Sequence, residues 1–342
     1  MQQLMFEAAG DYAWREAPDP VIAAPEQAIV RPLAVACCDL DVAVAEGRLP
    51  MPPGHAVGHE CVGEVVAVGE AVRDVQPGDR VVVPFQINCG TCRACRRGVT
   101  GSCDSLPLMA MYGMAPLAGL DGGGFMADMV LVPYADAMLL PVPETVDPIA
   151  IASLSDNIPD GWRGVGPYRD DLAALQPVDR RVLVAGRLSI GLYAAAFAAA
   201  YGARVDYVDT DPQRLAAAEK LGATVHDRLK PDKSWDPYAI TVHTSAQPDL
   251  LSAALRATWP DGVCTDTGIY YQGKVDMPLL SMYTRGVHFV TGRVNARAVI
   301  PDILELLSAG CDLMPAVDRI VPWEDAPTAW PAMIGKTVFI RS

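Results

Sequence analysis

Four cysteines between positions 89 and 103 constrain this chain more than any other feature. Cys89, Cys92, Cys95 and Cys103 are separated by two, two and seven residues. At that spacing one folded lobe can converge all four sulfurs on a tetrahedral ion that prefers thiolate, and the ion it predicts is a structural zinc. Disulfides are the competing use. The first residues carry no basic segment and no long apolar run, Glu7 and Asp11 interrupting what hydrophobicity there is. The expectation is therefore a chain without a secretory leader, cytoplasmic, with its thiols reduced.

At 342 residues the chain has room for two domains, each with its own core. Hydrophobic residues make up 51% and charged residues 20%, a globular balance apolar enough for a large core or a subunit interface. Twenty-seven basic residues against 41 acidic ones leave a net charge of −14, which repels phosphate backbones and anionic membranes. Nucleic acid and membranes are thereby excluded as expected partners. The most apolar stretch, residues 190–201, is too short to cross a bilayer and reads as a buried helix.

Up to about residue 142 the chain consists of short Val-rich and Ala-rich runs broken by Gly and Pro, which predicts an antiparallel β domain of barrel-like type. Residues 64–68 and 80–83 are its clearest strands. From about residue 150 strands alternate with helices: strands at 181–185, 204–208, 240–243, 262–265 and 287–291, helices at 190–201 and from Pro212 to Gly222. This βαβ rhythm predicts a parallel, doubly wound sheet. A further helix, 299–309, and a strand, 337–340, follow. The Met-rich and Gly-rich loop 106–124 is expected beside a pocket.

Gly58-His59-Glu60, Gly63-Glu64-Val65-Val66, Pro77-Gly78-Asp79-Arg80-Val81 and the cysteine cluster together resemble the zinc-containing medium-chain alcohol dehydrogenase family, over nearly the whole chain. The resemblance implies an α/β protein with a GroES-like antiparallel β-barrel catalytic domain (residues 1–150), a Rossmann NAD-binding domain (151–292) and a return to the catalytic domain (293–342). It also implies two zinc ions per subunit and a homodimer or homotetramer. The apolar segment 269–282 would suit that assembly.

Gly186 and Gly191 frame a phosphate-binding turn directly after a strand, with Leu188, Ser189 and Ile190 between them. The first glycine allows the tight turn and the last allows close helix packing, while the helix N-terminus offers N–H groups to a pyrophosphate. Leu188 stands where a middle glycine is usual, so its Cβ can hold the diphosphate off the backbone. Asp209, at the end of the next strand, is placed to accept from ribose hydroxyls and to repel the extra phosphate of NADP, which favours NAD. Helix capping is its alternative role, one that Asp211 could fill equally. Arg214 is expected along the adenine face.

For a catalytic zinc the resemblance selects Cys38, with Asp41 orienting His59, and Asp156 as third ligand, the position that is aspartate in relatives similar to glutathione-independent formaldehyde dehydrogenases. Glu60 is implied to approach the metal when water leaves, and Phe85 to stand beside it. The implied chemistry is hydride transfer between NAD(H) and a small-molecule alcohol, aldehyde or ketone, with zinc as Lewis acid on the substrate oxygen. Leu40 and Ala43 occupy the usual relay positions, leaving water, Asp39 or Tyr112 to move the proton. Two alternatives remain: reduction of an activated C=C bond, and a zinc-stabilised nucleotide-binding protein without turnover.

Overall fold

The computed structural model describes residues 1–114, 120–186, 189–271 and 273–341. Contacts divide them into two units. The first comprises residues 1–159, 295–309 and 317–342; the second comprises residues 160–294 and 310–316.

A seven-stranded sheet organises the first unit. Its order is Leu140–Pro141, Arg80–Val83, Glu60–Val68, Ala28–Ala36, Thr337–Ile340 and Arg319–Pro322, with Val130–Val132 also pairing to Ala28–Ala36. All but the last pair run antiparallel. The Ala28–Ala36 strand alternates buried and half-buried residues as far as Leu33, as a strand with one face on a core does, and is buried on both faces from Ala34 to Ala36. Pro32, which has no N–H for the ladder, sits where the pairing with Glu60–Val68 slips register. Opposite it, a Cβ on Gly63 would come within 2.7 Å of the Arg31 carbonyl, which explains a glycine in the middle of that strand. Val30, Val35, Val65, Val81, Val83, Trp330 and Phe339 are among the core side chains, the last two stacked with centroids 5.1 Å apart.

In the second unit six strands run parallel in the order Thr224–Asp227, Arg204–Asp209, Arg181–Gly186, Tyr238–Thr244, Thr258–Asp266 and His288–Thr291. Every residue of Tyr238–Thr244 is buried, the mark of a central parallel strand covered on both faces. The Ala-rich helix Ser189–Ala200 is buried through Ala198, and its small side chains let it lie close on the sheet. The helix Pro212–Lys220 begins with Pro at its first position and Asp211 as N-cap, accepting from Gln213 N and Arg214 N. Strand order reverses between Arg181–Gly186 and Tyr238–Thr244, which makes their carboxyl ends the switch point of the sheet.

Residues 151–159, expected with the nucleotide-binding half, pack instead in the first unit. Ser155 Oγ accepts from Cys61 N at 2.8 Å and donates to Cys61 O at 3.0 Å, so the turn Ala152–Ser155 is bonded to the Glu60–Val68 strand. Residues 310–316 join the second unit although the chain has by then returned to the first.

Candidate metal centres and dinucleotide edge

Cys38 lies two residues past the Ala28–Ala36 strand and caps the next helix. Its backbone is extended as N-cap of Asp39–Ala45, and its N–H donates to Asp41 Oδ2 at 2.8 Å. The cysteine-to-aspartate spacing is thus a helix N-cap with its N3 partner. The other oxygen of Asp41 stands 3.6 Å from His59 Nδ1, so the same carboxylate caps the helix and faces the imidazole. His59 follows Gly58, whose φ of +91° is a left-handed conformation that favours glycine. Asp156 closes the Ala152–Ser155 turn and brings Oδ2 to 3.5 Å from His59 Nε2.

Donor atoms of Cys38, His59 and Asp156 all lie within 4.8 Å of one another, and all three residues are buried. Both ring nitrogens of His59 are buried and without a hydrogen-bond partner among the described residues. An unsatisfied buried imidazole is costly unless its lone pair meets something else. A 3.5 Å separation is also close to the edge of a tetrahedron with bonds of about 2.1 Å, so the donor set fits a zinc ion. Without a cation, burial pushes the Cys38 thiol up to about 11 against the opposing pull of His59. Burial lowers His59, but Asp41, Asp156 and Cys38 outweigh it and hold the imidazole well above its usual range. Zinc takes thiolate and neutral imidazole, so loading this site releases protons.

Glu60, expected to approach the metal, has its carboxylate engaged elsewhere. Oε2 accepts from Lys336 Nζ at 2.9 Å and from Ser153 Oγ at 2.7 Å, and Oε1 from Asn157 N at 3.2 Å. Lys336 also donates to the Cys37 carbonyl at 2.7 Å, and both partners of the ion pair are at most 1% exposed. Sequence reasoning missed Lys336, Ser153 and Asn157; a lone lysine inside the apolar C-terminal run was the available signal. Phe85 does stand beside the imidazole, with ring centroids 6.0 Å apart. Tyr112 is unsuited to moving a proton: its hydroxyl donates to the Leu131 carbonyl and burial drives its pKa upward.

The four-thiol lobe is built differently. Donor atoms of Cys89, Cys92, Cys95 and Cys103 again lie within 4.8 Å of one another. Cys92 caps the short helix Arg93–Arg96, its sulfur accepting from Cys95 N at 3.4 Å and Asp104 N at 3.3 Å. For Cys89 burial raises the pKa, but hydrogen bonds from Ser105, Thr91 and Cys92 outweigh it and bring the thiol down to about 5. All nine cysteines are free.

At the switch point, a Cβ added to Gly186 or Gly191 would come within 2.9 Å of Thr244 Oγ1, so both glycines provide the close packing of turn, helix and neighbouring strand. Ser189 and Ile190 are buried at the helix start, whereas Leu188 lies outside the described residues. Asp211 takes the capping role, which leaves Asp209 free of it. Asp209 accepts instead from Thr210 N at 2.6 Å, from Asp211 N at 3.0 Å and from Arg214 through Nε at 2.6 Å and Nη2 at 3.1 Å. Arg214, expected along an adenine face, is held against this carboxylate.

Family models for the alcohol dehydrogenase GroES-like domain and for zinc-binding dehydrogenases match residues 24–144 and 189–309. The chain is 38% identical over 215 residues to the glutathione-independent formaldehyde dehydrogenase of Pseudomonas aeruginosa, covering 59% of this chain and 51% of that protein. It therefore spans about half the length of that relative. To the medium chain reductase/dehydrogenase ucsI of Acremonium sp. it is 32% identical over 232 residues, 67% of this chain and 77% of the other. The solved alcohol dehydrogenase TADH from Thermus sp. ATN1 matches all of both chains, with a TM-score of 0.87 at 28% identity. With two clusters of zinc-type donors in one unit and a doubly wound sheet in the other, the chain belongs to the zinc-containing medium-chain dehydrogenase family.

Proposed function

We propose that this protein is an NAD-dependent zinc alcohol dehydrogenase or carbonyl reductase that interconverts an alcohol with its aldehyde or ketone. The observation carrying this reading is the Cys38–His59–Asp156 triangle around a buried imidazole that has no hydrogen-bond partner among the described residues. Cys38, His59 and Asp156 would hold the catalytic ion, and Cys89, Cys92, Cys95 and Cys103 a structural one. When bound, zinc supplies a Lewis acid that polarises the substrate oxygen.

The chain's own residues do the rest. Asp41 faces Nδ1 and so leaves Nε2 toward the donor set, fixing the orientation of the ring. The buried Glu60–Lys336 pair carries no net charge, so it braces Ser153 and Asn157 on either side of the ligand turn without adding to the charge of Cys38 and Asp156. Phe85 covers one side of the imidazole with an apolar ring. Gly186, Ser189, Ile190 and Gly191 would receive the pyrophosphate. Asp209 would take the ribose hydroxyls, and its negative charge favours NAD over NADP. Arg214 keeps that carboxylate in place.

The exposed residues Leu279, Leu280 and Tyr283, on a helix without a buried residue, support pairing of two copies along the neighbouring edge strand His288–Thr291. Free thiols throughout support a cytoplasmic location. No helix among the described residues is long and apolar enough to cross a membrane.

The test is one preparation assayed for metal content and for NAD reduction across formaldehyde and aliphatic and aromatic alcohols, with light scattering for the assembly. Two zinc ions per chain and alcohol-dependent NADH formation are expected. NADH oxidation by enals without alcohol turnover would transfer the protein to C=C reduction.

A further inference from the structure

Asn157, the first residue of the helix Asn157–Trp162, follows Asp156 directly and is only 2% exposed. Its backbone N–H donates to Glu60 Oε1 at 3.2 Å, which fixes where the side chain starts. From there the side-chain amide reaches Cys38, with Oδ1 3.6 Å from Sγ in a buried contact. That separation is a hydrogen bond for an atom as large as sulfur. Filling space does not explain an amide here. An apolar side chain of equal volume would need no partners, as the neighbouring Ile158, fully buried, shows.

The amide suits either state of the sulfur. A thiol proton on Cys38 is donated to Oδ1. Once that proton has left, the sulfur is an acceptor only, and a half-turn of the amide puts the Nδ2 donor where Oδ1 stood. An N–H bonded to a thiolate draws electron density from the sulfur, so the ligand gives less to a bound cation and leaves it the stronger Lewis acid. The four-thiol lobe bonds its sulfur differently: Cys92 accepts from the backbone N–H groups of Cys95 and Asp104. At Cys38 a side chain makes the contact, so one substitution can remove it without touching the backbone.

We infer that Asn157 is a positioning residue that donates its side-chain N–H to the Cys38 thiolate and limits how strongly that ligand donates. It acts through Cys38, and its amide offsets part of the negative charge that Cys38 and Asp156 bring together. This inference rests on the zinc reading above.

The test uses the full chain with zinc kept in the four-thiol lobe and cobalt exchanged into the three-ligand centre. There the sulfur-to-cobalt charge-transfer band reads the electron richness of Cys38 independently of turnover. Asn157→Leu is expected to move that band to longer wavelength. In the zinc-loaded chain the same substitution should lower kcat for alcohol oxidation about tenfold, the loss of one hydrogen bond to a charged group, and leave KM for NAD within about twofold. If Asn157→Leu does not fold, Asn157→Ala, which adds no bulk, is read in the same way. A band that stays in place in a variant retaining its cobalt would overturn the inference, whatever turnover does. A raised KM for NAD with an unmoved band would also overturn it, by making Asn157 a cofactor contact. A wild-type chain that takes up no metal in the three-ligand centre would instead remove the zinc reading, and this inference with it.

Discussion

The two candidate metal centres of the first unit differ in how the chain brings their donors together, and the contrast separates the roles proposed for them. The four-thiol lobe takes all its ligands from residues 89–103 and stabilises sulfur with nearby N–H groups. The other centre gathers Cys38, His59 and Asp156 from a helix cap, a glycine-led strand start and a turn bonded to that strand. A lobe with four sulfur ligands is coordinatively full and can only hold structure, whereas three ligands of mixed type leave a position open for chemistry.

Crossed substitutions test that division most severely. Cys92→Ser should remove one zinc per chain and melt the lobe, since structural zinc contributes roughly 10 kcal/mol or more to folding. The readouts are metal content and the melting curve. His59→Ala should also remove one zinc but leave the lobe loaded, and alcohol turnover should fall by about a thousandfold or more. Either substitution emptying both centres would merge what the comparison separates. Next in size is Lys336→Met, which leaves Glu60 buried and uncompensated and should cost about 3–5 kcal/mol in urea denaturation. Adding Glu60→Gln should recover most of it; no recovery would mean the pair is not the cause.

Asp41→Asn removes the charge facing His59 and should weaken zinc at the three-ligand centre by about 10- to 100-fold while the lobe keeps its affinity, as competition with a chelator would show. The smallest effect is chemical. In metal-stripped protein at neutral pH, Cys89, held near 5, is almost wholly thiolate, and Cys38, pushed to about 11, is almost wholly thiol. The lower nucleophilicity of the more acidic sulfur reduces this to about a 20-fold advantage for Cys89 in alkylation by iodoacetamide. Raising the pH should speed Cys38 toward 11 and leave Cys89 level, as peptide mapping would record.

The same contrast explains what could be read from the sequence. A cluster spanning residues 89–103 is legible because its geometry is nearly its spacing. The parallel strands were legible too, through their alternation with helices and through Gly186, Gly191 and Asp209. Cys38, His59 and Asp156 emerged only through resemblance, because no local rule joins a helix cap to a turn so far along the chain. Lys336 stood out as a lone lysine in an apolar run, but its role was hidden for the same reason: its partner Glu60 lies 276 residues away. Asp209 was placed correctly at its strand end, but its pairing with Arg214 depends on where the helix after Asp211 aims that side chain. The unit boundary was drawn too early because a short turn such as Ala152–Ser155 has no periodicity to betray which core it joins.

The double hydrogen bond between Ser155 and the Cys61 peptide acts as a rivet between neighbours of two of the three donors. Asp156 and His59 cannot drift apart without shearing it, so the spacing on which the ion depends is inherited from the sheet and is already set when the metal arrives. Uptake of zinc should then resemble filling a rigid mould, with little rearrangement of the backbone and a modest entropic cost.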